Sequence, residues 1–190
     1  MQGKRIWHYE LEQGTADWFE LRRGKVTGSK CQSLLTRAEW LSAGDKTLCY
    51  KLAAHDLDTD EVLYDNDYKS YWMDRGQRLE PFAIEAYQRE TWRSVERVGF
   101  VEIEGRRAGC SPDGVVFAEK LGIEVKCLSL AEHLRFCESD GMAVKPVHLK
   151  QVQWCLAVTG FDRWDIIHFH PKAPKPVVIT EVEREQDIVD

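Results

Sequence analysis

The sequence predicts an α/β fold with a central mixed β-sheet flanked by helices. Three observations point there. Strand-like pieces follow one another over 97–128, a second strand pair closes the chain over 163–183, and helical stretches flank the first group. At 190 residues the chain predicts one domain, 1–190, large enough to bury a core without disulfides.

Each element has a local reason. "TADWFELRR" (15–23) reads as a short helix with Trp18 and Leu21 on one face and Gly24 as its stop. "KVTGSKCQSLL" reads as an extended approach to a new helix, capped by Thr27 or Ser29. Residues 46–57 are helical by composition, and the acidic "DLDTDEVLYDND" that follows reads as a surface loop. A long amphipathic helix is expected over 74–92, with Leu79, Phe82, Ala86 and Glu90 along one side and Pro81 starting or kinking it. "RVGFVEIE", "RAGCSPDGVVFA" and "LGIEVKCL" then form an antiparallel meander, parted by Gly105 and the "AEKLG" turn. Ser129 and Glu132 make a capping box for a helix ending near Gly141, and Pro146 opens another that Gly160 ends. "RWDIIHFHP" and "KPVVITEVE" are the last strands. Alternation of His168 and His170 with Ile167 and Phe169 assigns the histidines to a solvated face.

Bulk properties exclude some classes. There is no apolar run of about 18 residues and no apolar leader, so the expectation is a cytoplasmic protein without a membrane partner. The six cysteines (31, 49, 110, 127, 137, 155) include no CxxC pair and read as reduced thiols. A zinc set of Cys110, Cys127, His168 and His170 lacks ligand spacing. The net charge of −6 counts mildly against nucleic-acid binding by bulk charge, but leaves room for a local basic patch.

The chemistry concentrates in "GCSPDGVVFAEKLGIEVKCLS" (109–129). Side chains two apart on a strand share a face, so Glu124 and Lys126 point one way and Ile123, Val125 and Cys127 the other. A hairpin through "AEKLG" returns Asp113, from its Ser-Pro-Asp-Gly turn, toward Glu124. Two carboxylates and an ammonium on one site suit metal-assisted phosphodiester hydrolysis, because Mg²⁺ takes hard oxygen ligands and fills its shell with water and phosphate. The alternative is an ion pair decorating a strand, with Asp113 a turn former. On the long helix, Glu80, Ile84 and Tyr87 stack at i, i+4 and i+7; a carboxylate on that stripe is costly unless paired, and a metal would pair it. Gln151 shares a helix face with Trp154.

Five patches in order, "WFELRRGKVTGS", "GQRLEPFAIEAY", "SPDG", "IEVK" and "LKQVQWCLAVTG", run from residue 18 to 160 and resemble the lambda exonuclease family, the YqaJ-type viral recombinases of the PD-(D/E)xK nuclease superfamily. The resemblance implies a restriction-endonuclease-like core with Asp113 and Glu124 as metal ligands, Lys126 as the catalytic lysine and Glu80 as the helical carboxylate at the metal. It makes Gln151 the support of the lysine and the attacking water, and gives Arg22 and Ser29 to a phosphate at the DNA end. His133 or Arg135 stands where a further phosphate-binding arginine falls, and Leu128 replaces the proline that follows the lambda-like motif. The activity implied is Mg²⁺-dependent 5′-to-3′ digestion of linear duplex DNA, with Mn²⁺ as a substitute. It leaves 3′ overhangs for a single-strand annealing protein, and the enzyme is a ring-shaped homotrimer in the bacterial host cell. The alternatives are a structure-specific endonuclease on the same site and a catalytically silent DNA-end or partner-binding module. Trp40 and Leu41 are candidates for a wedge that parts the duplex.

Overall fold

The computed structural model describes residues 1–33, 48, 50, 52–54, 71–139 and 144–185. The tryptophan–leucine wedge candidates and the acidic 56–67 loop lie outside that set, and the described residues 48, 50 and 52–54 are helical as expected. In chain order the elements are β1 (Arg5–His8), α1 (Ala16–Arg22), α2 (Tyr71–Thr91), β2 (Phe100–Ile103), β3 (Gly109–Cys110), β4 (Gly114–Val116), β5 (Leu121–Lys126), α3 (Leu130–Glu138), α4 (Pro146–Thr159), β6 (Arg163–Phe169) and β7 (Val177–Glu183).

Strands β4-β5-β6-β7 form one sheet and β1-β2-β3 another. Strand β5 pairs antiparallel with β4 and parallel with β6, and β6 pairs antiparallel with β7. The sheet is therefore mixed, and α3 and α4 lie in the long crossover that a parallel pair requires. One face carries Ile123, Ile167 and Phe169 against Ala83, Ile84 and Tyr87 of α2. The other carries Trp164 and Ile166 against Val152, Cys155 and Leu156 of α4. The expected architecture, a mixed sheet between helices, is the one observed.

The meander differs from expectation. The chain leaves the first sheet after Cys110 and enters the second at Gly114, so β3 and β4 are separate strands. Pro112 stands at the break, where its missing N–H ends the ladder. A bridge between Glu96 and Val115 stitches the region together. The short β1 pairs with β2 over four residues, too few for periodicity to reveal.

Helix α2 begins by Tyr71, so Pro81 sits inside it and neither starts nor ends it. Its buried side is Ala83, Ile84 and Tyr87, while Phe82 of the expected stripe is 57% exposed. Tyr87 donates a 2.6 Å hydrogen bond to buried Asp165 on β6, and Arg93 reaches the same oxygen at 2.9 Å. That network fixes the rotation of α2 on the sheet. The capping box is present: Ser129 Oγ accepts from the Glu132 amide and donates to its carboxylate. Helix α3 ends at Glu138, earlier than expected, and Gly160 ends α4 in the left-handed conformation.

The histidines of β6 correct the expectation of a solvated face. His168 and His170 are both buried. Alternation marks exposure only where one face of a sheet meets water; here α3 and α4 cover the His168 side, and the Phe136 ring stacks on His168 at 3.6 Å.

Candidate active site

The β4–β5 hairpin brings Asp113 to Glu124 through the backbone. The Asp113 amide donates to Ile123 O at 3.1 Å, and its carboxylate Oδ2 accepts from the Val125 amide at 2.7 Å. Asp113 is thus held by two bonds to the strand that carries Glu124 and Lys126.

Those two residues share the face that meets α4. Glu124 is 3% exposed. Its Oε1 accepts from Lys126 Nζ at 2.6 Å and from Gln151 Nε2 at 2.7 Å, while the Gln151 carbonyl accepts from Lys126 at 3.3 Å. Carboxylate, ammonium and amide close a three-membered ring of hydrogen bonds. The other oxygen, Oε2, is buried and has no hydrogen-bond partner among the described residues. A buried carboxylate oxygen left unbonded costs free energy unless something else meets it.

Electrostatics adds to this. Burial pushes the Asp113 carboxyl well above the usual carboxylate range, and the nearby charges of Glu124 and Glu80 push it further. Burial also raises Glu80; Arg97 offsets this in part and Glu124 adds to it. For Lys126, burial acts to lower the value, but Glu124 and Asp113 outweigh it and hold the ammonium above its ordinary value. Glu80 comes from α2 and lines, with Gln77, Arg97 and Asp113, a cleft of about 530 Å³. Pro81, on the same wall, removes an amide that would bond Gln77 O within the helix.

Among the described residues, no three His, Cys, Asp or Glu side chains are arranged to hold a metal ion by themselves. A pair of carboxylates with an orphaned buried oxygen still fits Mg²⁺, which binds through one or two carboxylates and keeps waters and phosphate in its remaining positions. The zinc set of Cys110, Cys127, His168 and His170 makes no such cluster either. Five cysteines are described and all are free thiols.

Arg22 and Ser29 are brought together by Thr27, which the sequence offered only as a helix cap. The Arg22 guanidinium carbon lies over Trp18, 3.7 Å from the ring centroid, and Nη2 donates to Thr27 Oγ1 at 3.3 Å. Thr27 Oγ1 and Ser29 Oγ are 3.4 Å apart. The Trp18 indole N–H is shared by Gly99 O and Ser111 Oγ, which anchors the arrangement to the turn before Asp113. Thr27 is buried where Ser29 is exposed; its signal in the sequence was its place two residues before Ser29 in "VTGS". At Gly28 an added Cβ would meet Gln151 Cγ at 3.1 Å and Cys155 Sγ at 3.3 Å, so the turn lies tight against α4. Ser29 does not open a helix within the described residues. It stands in a turn ahead of a three-residue 3₁₀ turn, and the Lys30 and Cys31 amides bond back to Thr27 O.

The alternatives for a further phosphate contact separate cleanly. His133 is fully buried, with Nε2 bonded to Lys175 O at 2.8 Å, whereas Arg135 is exposed. Other grooves, such as one of about 670 Å³ along Phe82, Ala86 and Phe169, lie away from these carboxylates. Chemistry locates the site where volume alone does not.

A mixed sheet between helices is also the architecture of solved exonucleases to which the chain is similar. The chain is similar to the alkaline exonuclease LHK-Exo from Laribacter hongkongensis, with 28% identity over 92% of this chain and 85% of that one and a TM-score of 0.75. The same figures hold for LHK-Exo in complex with dAMP. A phage-related exonuclease from Haemophilus somnus 129PT shares the fold, with a TM-score of 0.59 at 15% identity over 90% of this chain and 89% of that one. The chain belongs to the YqaJ-like viral recombinase domain family, whose pattern matches residues 17–162. No curated protein matches it.

Proposed function

We propose that the protein is a Mg²⁺-dependent exonuclease, one domain over 1–190, that digests linear duplex DNA from its 5′ ends and leaves 3′ single-stranded overhangs. The observation that carries this reading is the divided Glu124 carboxylate. One oxygen accepts from Lys126 and Gln151; the other is buried and has no hydrogen-bond partner among the described residues, and the charge of Glu124 is felt by Asp113. The similarity to an alkaline exonuclease supports the reaction class.

Asp113 and Glu124 would hold the cation, and Glu80 would supply a further carboxylate to it. The chemistry that Mg²⁺ would supply there is polarisation of the phosphate and a lowered pKa for a bound water. The rest is the work of this chain. Lys126, kept protonated by its carboxylate neighbours, offsets the charge that builds on the phosphate and orients the attacking water. Gln151 fixes the lysine by bonding both ends of the Glu124–Lys126 pair. Arg22 is held in direction by Trp18 and Thr27, and with Ser29 it anchors a phosphate at the DNA end. Burial lowers the Arg22 guanidinium to about 10, which leaves it cationic at neutral pH.

The wider reading has the overhang passed to a single-strand annealing protein in phage-type recombination, and the enzyme enclosing DNA as a homotrimeric ring. A ring reconciles a net charge of −6 with DNA binding, since only its lining needs to be basic. Among the described residues no helix is long and apolar enough to cross a membrane. Duplex labelled at one 5′ end or one 3′ end tests the polarity. Early release of the 5′ label supports it, and early release of the 3′ label overturns it. A monomer in sedimentation at micromolar concentration would overturn the ring.

A further inference from the structure

Four carboxylates line the cleft of Asp113: its own and those of Glu10, Glu12 and Glu80. Among the described residues on its walls, Arg97 is the only cation. A phosphate entering such a cleft is repelled except where a metal or a guanidinium meets it. Arg97 is exposed, and its guanidinium takes part in no hydrogen bond or ion pair among the described residues. Glu80 feels its charge without bonding it.

The backbone beneath Arg97 is fixed, and fixed to the turn that carries Asp113. The Gln13 amide donates to Val98 O at 3.2 Å and to Pro112 O at 3.0 Å, so one side chain clamps the neighbours of Arg97 and Asp113 together. On one side of Arg97, Glu96 is bridged to Val115 of β4; on the other, the Gly99 amide donates to His8 O at 3.0 Å. The Trp18 indole, over which Arg22 lies, bonds Gly99 O and Ser111 Oγ in the same region. Arg22 itself is not among the residues that line the cleft. Two guanidiniums are thus held in register with Asp113, one on the cleft wall and one outside it.

We propose that Arg97 binds an internucleotide phosphate of the digested strand, the one next beyond the bond being cut. The proposal rests on the nuclease reading and deepens it. In that reading the end phosphate lies on Arg22 and Ser29 and the scissile phosphate at the carboxylates, so the following phosphate is the first left without a partner. Arg97 meets it on the cleft wall, where the surrounding carboxylates leave a phosphate no other cationic side chain. A guanidinium suits this contact, because its forked N–H groups match phosphate oxygens in pairs. The contact keeps the strand in step for the next cut, since this phosphate becomes the scissile one once a nucleotide has left. It also sets substrate length: a dinucleotide ends before this phosphate and a trinucleotide contains it.

Fluorescence-anisotropy binding of the full chain in EDTA tests this, on 5′-phosphorylated duplexes that carry one neutral methylphosphonate at successive internucleotide positions from the end. In wild type, the modification at the second position should weaken binding about ten- to a hundredfold, the worth of a hydrogen bond to a charged group. In Arg97→Ala that penalty should disappear while the penalties at other positions stay, and Arg97→Lys should keep part of it. Arg106→Ala, which removes the same charge from the β2–β3 turn, should leave every penalty as in wild type. Thermal melts show that each variant folds. If Arg97 serves only to offset Glu80, its removal weakens all the duplexes alike and the second-position penalty survives, which would overturn the proposal. So would an Arg97→Ala variant that binds as Arg106→Ala does. Binding is read without hydrolysis, so a chain that digests DNA but fails this test stays a nuclease. A chain that passes it and cuts no DNA would overturn the functional reading and leave Arg97 a phosphate contact.

Discussion

Replacing Gln151 by methionine removes one side-chain amide and little else. Methionine keeps the volume and suits a helix interior, so α4 should form as before. The amide donates to Glu124 Oε1 at 2.7 Å, a bond to a carboxylate with only 3% of its residue surface exposed. Hydrogen bonds to charged groups are worth about 1.5–3 kcal/mol. The second contact, from Lys126 to the Gln151 carbonyl, is longer at 3.3 Å and contributes less. Among the described residues Lys126 then has only Glu124 to orient it, and its ammonium can swing about that 2.6 Å bond. If the whole loss falls on the chemical step, turnover drops roughly ten- to a hundredfold, since each ~1.4 kcal/mol is tenfold. KM for DNA should stay put, because Gln151 acts through the lysine. The assay is steady-state digestion of linear duplex in Mg²⁺, with a thermal melt to show that the fold survives. A turnover within twofold of wild type would refute the positioning role.

Two further outcomes follow from the same geometry. Asp113→Asn should abolish digestion yet raise the melting temperature of the metal-free protein near pH 8. Burial and neighbouring carboxylates raise Asp113 in the fold, so its stability contribution is present at acid pH and is lost as pH rises above the ordinary carboxylate range. The asparagine variant should lack that loss, and Mg²⁺ at a hundred times its Kd should stabilise wild type by about 2.7 kcal/mol but not the variant. A wild-type melt in EDTA that climbs steadily from pH 4 to 8 relative to the variant would contradict this. Arg22→Ala should erase most of a ten- to a hundredfold preference for 5′-phosphorylated over 5′-hydroxyl ends, the worth of one charge-assisted contact. Competition between the two ends in one digest measures it, and an unchanged preference would remove Arg22 from the phosphate site.

Much of this site was legible because local rules set it. Alternation along β5 put Glu124 and Lys126 on one face, and the turn before β4 returned Asp113 to them. The spacing of four from Trp18 to Arg22 fixed the stacking of guanidinium on indole. What the sequence hid depends on contacts between distant segments. The burial of His168 is decided by Phe136, thirty-two residues earlier, and that of His133 by the Lys175 carbonyl. The buried side of α2 is chosen by Asp165 and Arg93 holding Tyr87, which periodicity around Pro81 left open. The split of the meander at Pro112 has a local cause that a continuous strand reading passes over.

The claim at the centre is that Asp113, Glu124 and Lys126 form a metal-dependent site that acts on DNA ends. The most direct measurement incubates linear and covalently closed circular duplex with wild type and Glu124→Gln, each in Mg²⁺ and in EDTA, and follows acid-soluble nucleotide. The prediction is release from linear DNA by wild type in Mg²⁺ alone, with closed circles untouched and Glu124→Gln inert. Cutting of closed circles, digestion in EDTA, or wild-type rates from Glu124→Gln would contradict it.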